Sequence, residues 1–327
     1  MSDLVAFAAM QRSDLRAYES LLERIGGTDL LKLPTLGQAP GAADIFAKLE
    51  GYNPGGSVKD RVALAMIEDA ERRGLLKPGY TVAEATSGNT GIGLALVCNI
   101  KNYPLVLFMP DHYSLERRKL LESYGAKLVL TPAEADMAGA QAAAIAYCRE
   151  NPDTYMPNQF ENPANPAAHV ATAQEILADL PVDCPVSALV LGVGTGGSLS
   201  GIGRVLKARY PDMKVVAVEP AKSAVLSGGK RGLHAIHGIG AGFVPKILDL
   251  SLIDEIIQVE DADAFATAET LARACGLLVG VSSGANIWAS RRVADRMPAH
   301  TAVVTLLCDQ GQRYFSFKTD DKAVSAS

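Results

Sequence analysis

Three glycine-rich turns hold most of the residues in this sequence that could do chemistry. The first is Asn53-Pro-Gly-Gly-Ser-Val-Lys-Asp-Arg61. It follows an apolar run ending at Glu50, and Ser57 is placed to cap a helix starting there. Lys59 then falls in the first helical turn, where the helix dipole disfavours a cation. An amine so placed gives up its proton more easily, which suits a Schiff-base nucleophile. Taken alone, the turn proves little, since an arbitrary lysine is far more often a solvated surface residue. The second turn is Glu84-Ala-Thr-Ser-Gly-Asn-Thr-Gly-Ile-Gly93. Thr86, Ser87, Gly88, Asn89 and Thr90 gather hydroxyls, an amide and the free N–H groups of a helix start, a set that can hold a carboxylate. A simple cap needs one such residue.

The third turn is Gly192-Val-Gly-Thr-Gly-Gly-Ser198. Its small residues Gly194, Thr195, Gly196, Gly197 and Ser198 precede a helical segment, so a phosphate could approach the backbone closely. Gly192, Gly194 and Gly197 also satisfy G-x-G-x-x-G, and Glu219 ends the following strand about 20 residues on, where a dinucleotide fold places its ribose acid. A nicotinamide dehydrogenase therefore competes for this turn, but it leaves the other two unexplained.

The elements that must position these turns alternate along the chain. Strands are expected over Asp44–Glu50, Thr81–Thr86, Leu105–Pro110, Lys127–Thr131, Ala188–Gly194, Lys214–Glu219, Glu255–Val259, Leu277–Ser282 and Ala302–Cys308. Helical spacing fills Ser57–Arg73, Thr90–Ile100, Ser114–Tyr124, Ala140–Arg149, Leu199–Ala208, Ala262–Ala274 and Ala285–Arg296. This alternation reads as α/β with largely parallel sheets, whose strands are apolar because helices cover both faces. The Pro- and Asn-rich stretch Asn158–Pro166 marks a seam. With an earlier crossing near Tyr52–Pro54, the expected division is residues 1–51 and 161–327 as a large domain and 52–160 as a smaller one.

Composition narrows the classes. The 327 residues are 48% hydrophobic and 20% charged, with formal net charge −5. No basic field attracts nucleic acid or anionic lipid. No apolar stretch is long enough to span a membrane, and the first residues lack the pattern of a signal peptide. Cys98, Cys148, Cys184, Cys275 and Cys308 are scattered among apolar neighbours. They read as buried thiols in a reducing cytoplasm, with Cys308 as core. His234 and His237 lack a third nearby ligand, so no metal is expected.

Together the turns resemble the cysteine synthase (O-acetylserine sulfhydrylase) family of fold-type II pyridoxal-phosphate enzymes, over about residues 18 to 317. The resemblance implies a two-domain, tryptophan synthase β-like fold and the cofactor pyridoxal 5'-phosphate. It makes Lys59 the Schiff-base residue and general base, and gives the phosphate to Gly194, Thr195, Gly196, Gly197 and Ser198. Asn89 would also reach the cofactor's phenolic oxygen. The substrate carboxylate falls to Thr86, Ser87, Gly88, Asn89, Thr90 and Gln159, the last in a family-like segment Gln159-Phe160…Asn162-Pro-Ala-Asn165. Gly238 opens a loop similar to the one at the family's active-site mouth. Ser282, in Gly280-Val-Ser-Ser-Gly284, resembles the strand-end serine that meets the pyridine nitrogen. A hydroxyl there leaves that ring less electron-withdrawing than a carboxylate would.

The activity so implied is β-replacement on O-acetylserine by sulfide, giving cysteine and acetate. O-phosphoserine, thiosulfate and homocysteine remain as alternative substrates, and a non-catalytic relative as a remote alternative. The family also implies a homodimer and serine acetyltransferase as a possible partner. The chain departs from the family pattern at Gly27, Asp29, Ala173, Gln174 and His237.

Overall fold

The computed structural model describes residues 17–314, except Ser87, Tyr113 and Ser114 and the side chains of Glu116 and Arg117. Two sheets dominate it. The larger has six strands: β1 (Leu30–Lys32), β2 (Asp44–Leu49), β7 (Val186–Gly192), β8 (Lys214–Pro220), β9 (Glu255–Val259) and β10 (Ala302–Leu307), in the order β1-β2-β10-β7-β8-β9. All its pairings are parallel except β1 with β2. The smaller is wholly parallel, in the order β5-β4-β3-β6, from β3 (Thr81–Ala85), β4 (Leu105–Pro110), β5 (Lys127–Thr131) and β6 (Thr154–Tyr155). Its strands all lie between the second and seventh in the chain, so the small sheet interrupts the large one.

Helices α1 (Lys59–Arg72), α2 (Asn89–Ile100), α3 (Leu115–Ser123), α4 (Asp136–Glu150), α5 (Ala164–Asp179), α6 (Gly197–Arg209), α7 (Asp261–Cys275) and α8 (Val281–Ala294) flank the sheets. The two-residue period of a strand divides each core in two. Along β2, Ile45, Ala47 and Leu49 face one apolar cluster of the large sheet and Phe46 the other. Along β4, Leu105, Leu107 and Met109 face one cluster of the small sheet, Val106 and Phe108 the opposite one. Both faces being buried, β4 is continuously apolar, and the interior of β2 is broken only by Lys48, whose buried amine pairs with Glu175 and Asp179.

Eight of the nine expected strands are present. Leu277–Ser282 is not a strand: Val279 makes one isolated bridge to Gln310, and α8 begins at Val281 with Gly280 as its cap. A short apolar run has no period of its own, and here the helix start overrides it. The helix α5 grows directly out of the expected seam. Pro163 stands at its cap and Pro166 in its first turn, where the missing proline N–H costs no hydrogen bond. The cap position of α1 is Val58 rather than the expected Ser57, which stands one residue earlier with its Oγ accepting the Lys59 N–H at 3.2 Å.

A charged cluster ties the start of α1 to the rest of the fold. Arg61 donates to Glu50 at 2.8 and 2.9 Å and to Glu175 on α5 at 2.7 Å through each of two nitrogens. The family departure at Gly27 lies here: its N–H donates to Glu175, and that of Gly26 to Asn53 Oδ1.

Candidate active site

A cavity of ≈ 240 Å³ opens where the two sheets meet. In parallel α/β sheets the crevice beyond the carboxyl ends of the strands collects the turns that bind ligands. Here Thr86–Thr90 follows β3, Val193–Ser198 follows β7 and Cys308-Asp309 follows β10. Lys59, Thr86, Gly88, Asn89, Thr90, Gln159, Gly194, Thr195, Gly196, Ser198, Gly238 and Ser282 all line the cavity. Gly197, first residue of α6, is buried just behind the lining. Ser87 lies outside the described residues.

Lys59 is pinned from the far sheet. The Val58 N–H donates to the Cys308 carbonyl at 2.9 Å, and Ser57 bridges Asp309. Burial pushes the Lys59 amine below its ordinary value, while Cys308 and Asp309 pull the other way. Burial therefore adds to the helix-start argument as a cause of easier deprotonation.

The turn after β7 forms a cup. Gly196 adopts φ +83 as the cap of α6, a left-handed conformation open to glycine, and a Cβ on Gly197 would overlap Oδ1 of Asn165. Thr195 Oγ1 accepts from Asn165 Nδ2 at 3.0 Å, and Ser198 Oγ meets His169 Nε2 at 3.0 Å. Burial, with Lys59 and Arg61 nearby, lowers His169 to about 3, so the imidazole is neutral at physiological pH. Residues 192–199 carry no carboxylate. Hydroxyls, the first N–H groups of a helix and a neutral imidazole make a donor set suited to a phosphate. With an amine across the cavity, the cup and Lys59 fit pyridoxal phosphate.

The small-sheet wall is equally ordered. Thr90 Oγ1 donates to Gln159 Oε1 at 2.6 Å, and the Gln159 carbonyl accepts from Asn165 Nδ2 at 2.8 Å. Asn89 donates to Asp309 at 2.6 Å and accepts from Arg313 at 2.6 Å. Asp309 also takes the Tyr314 hydroxyl, and its Oδ1 stays buried without a partner. Ser282 enters from the first turn of α8.

Sequence reasoning missed Asp309 in the lining, and it placed Cys308 in the core. It also missed Arg313, Asn165 and His169, which stand outside the lining: Arg313 bonds to Asn89, Asn165 to Thr195 and Gln159, and His169 to Ser198. Cys308 does pack against the large-sheet core, and just past the end of β10 it also lines the cavity. Its burial pushes the thiol up to about 12, so it stays protonated. A signal for Asp309 was present: a carboxylate two residues past a buried strand, with Gly311 two residues further on. Glu219, the acid of the rival dinucleotide reading, accepts from the N–H groups of Leu226 and Ser227 and from the Ser227 hydroxyl. Those bonds occupy it in bracing its own loop. His237 stacks on Tyr314 with ring centroids 5.9 Å apart.

An α/β fold whose glycine-rich cup and buried lysine line one cavity fits a cofactor-dependent enzyme class, and the chain belongs to the family described as pyridoxal-phosphate dependent enzymes, matched over residues 21–309. It is 48% identical over 298 residues to the cysteine synthase of Staphylococcus aureus, covering 91% of this chain and 96% of that one. Among solved structures, O-acetyl serine sulfhydrylase isoform 3 from Entamoeba histolytica superposes with a TM-score of 0.89 at 42% identity, covering 94% of this chain and 93% of that one. An O-ureido-L-serine synthase superposes with a TM-score of 0.88 at 40% identity, covering 95% and 100%.

Substituting Gly197 by alanine should push Asn165 out of the cup wall. Overpacking of this kind costs about 1–3 kcal/mol. Titration of the apo protein with pyridoxal phosphate should then show an affinity roughly 10- to 100-fold weaker. An unchanged affinity would remove the cup from cofactor binding.

Proposed function

We propose that this chain is a cysteine synthase, replacing the acetyl ester of O-acetyl-L-serine with sulfide to give L-cysteine and acetate. The observation that carries the proposal is one cavity lined at once by Lys59, by Gly194, Thr195, Gly196 and Ser198 of the cup, and by Thr86, Gly88, Asn89 and Thr90. The relatives named above as cysteine synthase and O-acetyl serine sulfhydrylase support it.

Lys59, Asn89, Gly194, Thr195, Gly196, Gly197, Ser198 and Ser282 would hold the cofactor. When bound, pyridoxal phosphate supplies an aldehyde for an amine and a ring that delocalises negative charge. The chain's own groups do the rest. Thr86, Ser87, Gly88, Asn89, Thr90 and Gln159 hold the substrate carboxylate, and Gly238 bounds the mouth beside Ser282. Nζ of Lys59, kept poorly basic by burial, takes the α-proton and later returns it to the same carbon. Between these steps the Cβ–O bond to acetate breaks and a Cβ–S bond to sulfide forms. Ser282 would offer the cofactor ring a neutral hydroxyl rather than a carboxylate.

The lining also favours a neutral leaving group. Among the described residues Lys59 is the one Lys, Arg or His that lines the cavity. Lys230 and Arg231 are exposed and outside that lining. A phosphate ester would bring charge with no second cation to meet it. We further propose that residues 1–51 and 161–327 form the large domain and 52–160 a smaller one that moves over the substrate. The protein would act as a cytoplasmic homodimer able to meet serine acetyltransferase; its described cysteines are all unpaired, as a reducing compartment favours.

Steady-state turnover with O-acetylserine and sulfide tests the assignment, scored as cysteine and acetate in equal amounts. O-phosphoserine, thiosulfate and homocysteine run in parallel should each give a lower kcat/KM. Faster turnover with any of them would overturn the assigned substrate pair.

A further inference from the structure

Glu84 lies on β3, the strand between β4 and β6, two residues before the Thr86–Thr90 turn. It is 2% exposed, and no cationic side chain pairs with it among the ion pairs of the described residues. A lone buried carboxylate is costly, so its retention in a β-sheet asks for a reason. Its Oε1 accepts the Ala85 N–H at 3.1 Å, while Oε2 is buried without a partner. The N–H groups of Asn158 and Gln159 face the same carboxylate and favour its charge. They reach it because β6 pairs with the start of β3, at Thr81 with Thr154 and Val82 with Tyr155, and the chain then runs on past Glu84. Asn158 has φ +49. A left-handed residue lets successive N–H groups converge on one anion.

The consequence falls on Gln159. Its Oε1 is taken by Thr90 and its carbonyl by Asn165, which leaves the side-chain Nε2 as the donor for a carboxylate. We infer that Glu84 is the positioning residue of the substrate-carboxylate site, its buried charge ordering the Asn158–Gln159 backbone and thereby aiming Gln159. This rests on the reading of Thr86–Thr90 and Gln159 as a carboxylate site. Glu84 touches neither substrate nor cofactor.

The arrangement makes substrate affinity depend on pH. An ionised carboxylate only accepts, whereas the protonated acid must place a donor among N–H groups that are donors themselves. Burial pushes Glu84 up to about 7, with the Ala85, Asn158 and Gln159 N–H groups opposing. The ordering charge is therefore present above neutrality and lost below it. Other groups near Glu84 do not titrate in its place. Burial raises both Cys148 on α4 and Tyr155 on β6, so neither ionises near pH 7. No Asp, Glu, Lys, Arg or His occurs in β4 or α2, and Asp136, Arg149 and Glu150 occupy exposed ends of α4.

The test uses the holoenzyme and L-alanine, which has the α-carboxylate and amine but no β-leaving group. Binding is read as a change in cofactor absorbance from about pH 6 to about pH 8, spanning the Glu84 titration. The Kd of Glu84→Gln relative to wild type should grow about tenfold across that interval, because the variant has no charge to gain. A second readout is melting of the apo protein. An acid whose folded value is raised adds stability below its ordinary value of 4.5 and loses it as pH rises through about 7. Glu84→Gln should therefore melt no lower than wild type at about pH 8. A merely structural role would instead lower Tm and leave the Kd ratio flat. A flat ratio, with Gln159→Ala still weakening L-alanine binding, overturns the role of Glu84 alone. Wild-type affinity in Gln159→Ala overturns the carboxylate site and this inference with it.

Discussion

Replacing Lys59 with alanine should lower turnover by at least about 10²- to 10⁴-fold, the range that a positioned general base contributes. The loss is expected to fall on kcat, because Thr86, Thr90 and Gln159, the residues proposed for the substrate carboxylate, are untouched. A second readout is independent of turnover. Borohydride treatment of the wild-type holoenzyme should fix the cofactor on the peptide carrying Lys59, and mapping of the variant should find no fixed cofactor. The geometry explains the choice of this lysine. It is the amine at the cavity between the cup and the carboxylate turn, and burial lowers its basicity despite Asp309. Turnover within tenfold of wild type, or label on another lysine, would end the proposed chemistry.

The largest effect on stability is expected from Arg61→Ala. The Glu50 side chain is fully buried, and Arg61 is its cationic partner at 2.8 Å. Thr28 and Asn53 still donate to Glu50, but no cation would balance its charge. Removing one partner of a buried pair costs about 3–5 kcal/mol. Urea unfolding should show that loss as a lower midpoint with an unchanged slope. The same variant should alter the acid limb. Burial alone would raise Glu175, but the Arg61 hydrogen bonds and charge, with help from Lys48, hold it down to about 2. Its contribution to stability is complete above the ordinary carboxyl value of 4.5 and is lost as pH falls toward about 2. Without Arg61 that dependence should flatten. A midpoint shift worth less than about 1 kcal/mol would mean that the cluster is a surface-like pair and not a buried one.

Arg61 and Lys59 show how far the chain could be read without coordinates. Both stand in one turn, and the local rules that made Lys59 a candidate act within a few residues: a cap, a helix start, a dipole. The same holds for Gly194–Ser198 and for Thr86–Thr90, where residue type and helix position state the chemistry of the turn. Strand positions were legible because both faces of a parallel sheet are buried, which writes largely apolar runs into β4, β7, β8 and β10. Where a run was short and met a helix cap, at Leu277–Ser282, periodicity had nothing to choose with, and Ser282 proved to sit on a helix.

The sequence by itself thus determined the turns, their order and the kind of group each can hold, since those follow from dihedral preferences and donor inventories of neighbouring residues. Tertiary structure alone decided which distant residues serve them. Asp309 meets Asn89 across 220 positions, and Arg61 meets Glu175 across 114. Only the pairing of β6 with the start of β3 brings the segment leading to Asn158 and Gln159 alongside the strand that carries Glu84. The depressed basicity of Lys59 belongs to the same class: its largest cause is desolvation, and water is excluded only when two sheets close around the amine. Local sequence carries the preferences of a chain segment, but burial and long-range pairing are properties of the packed whole.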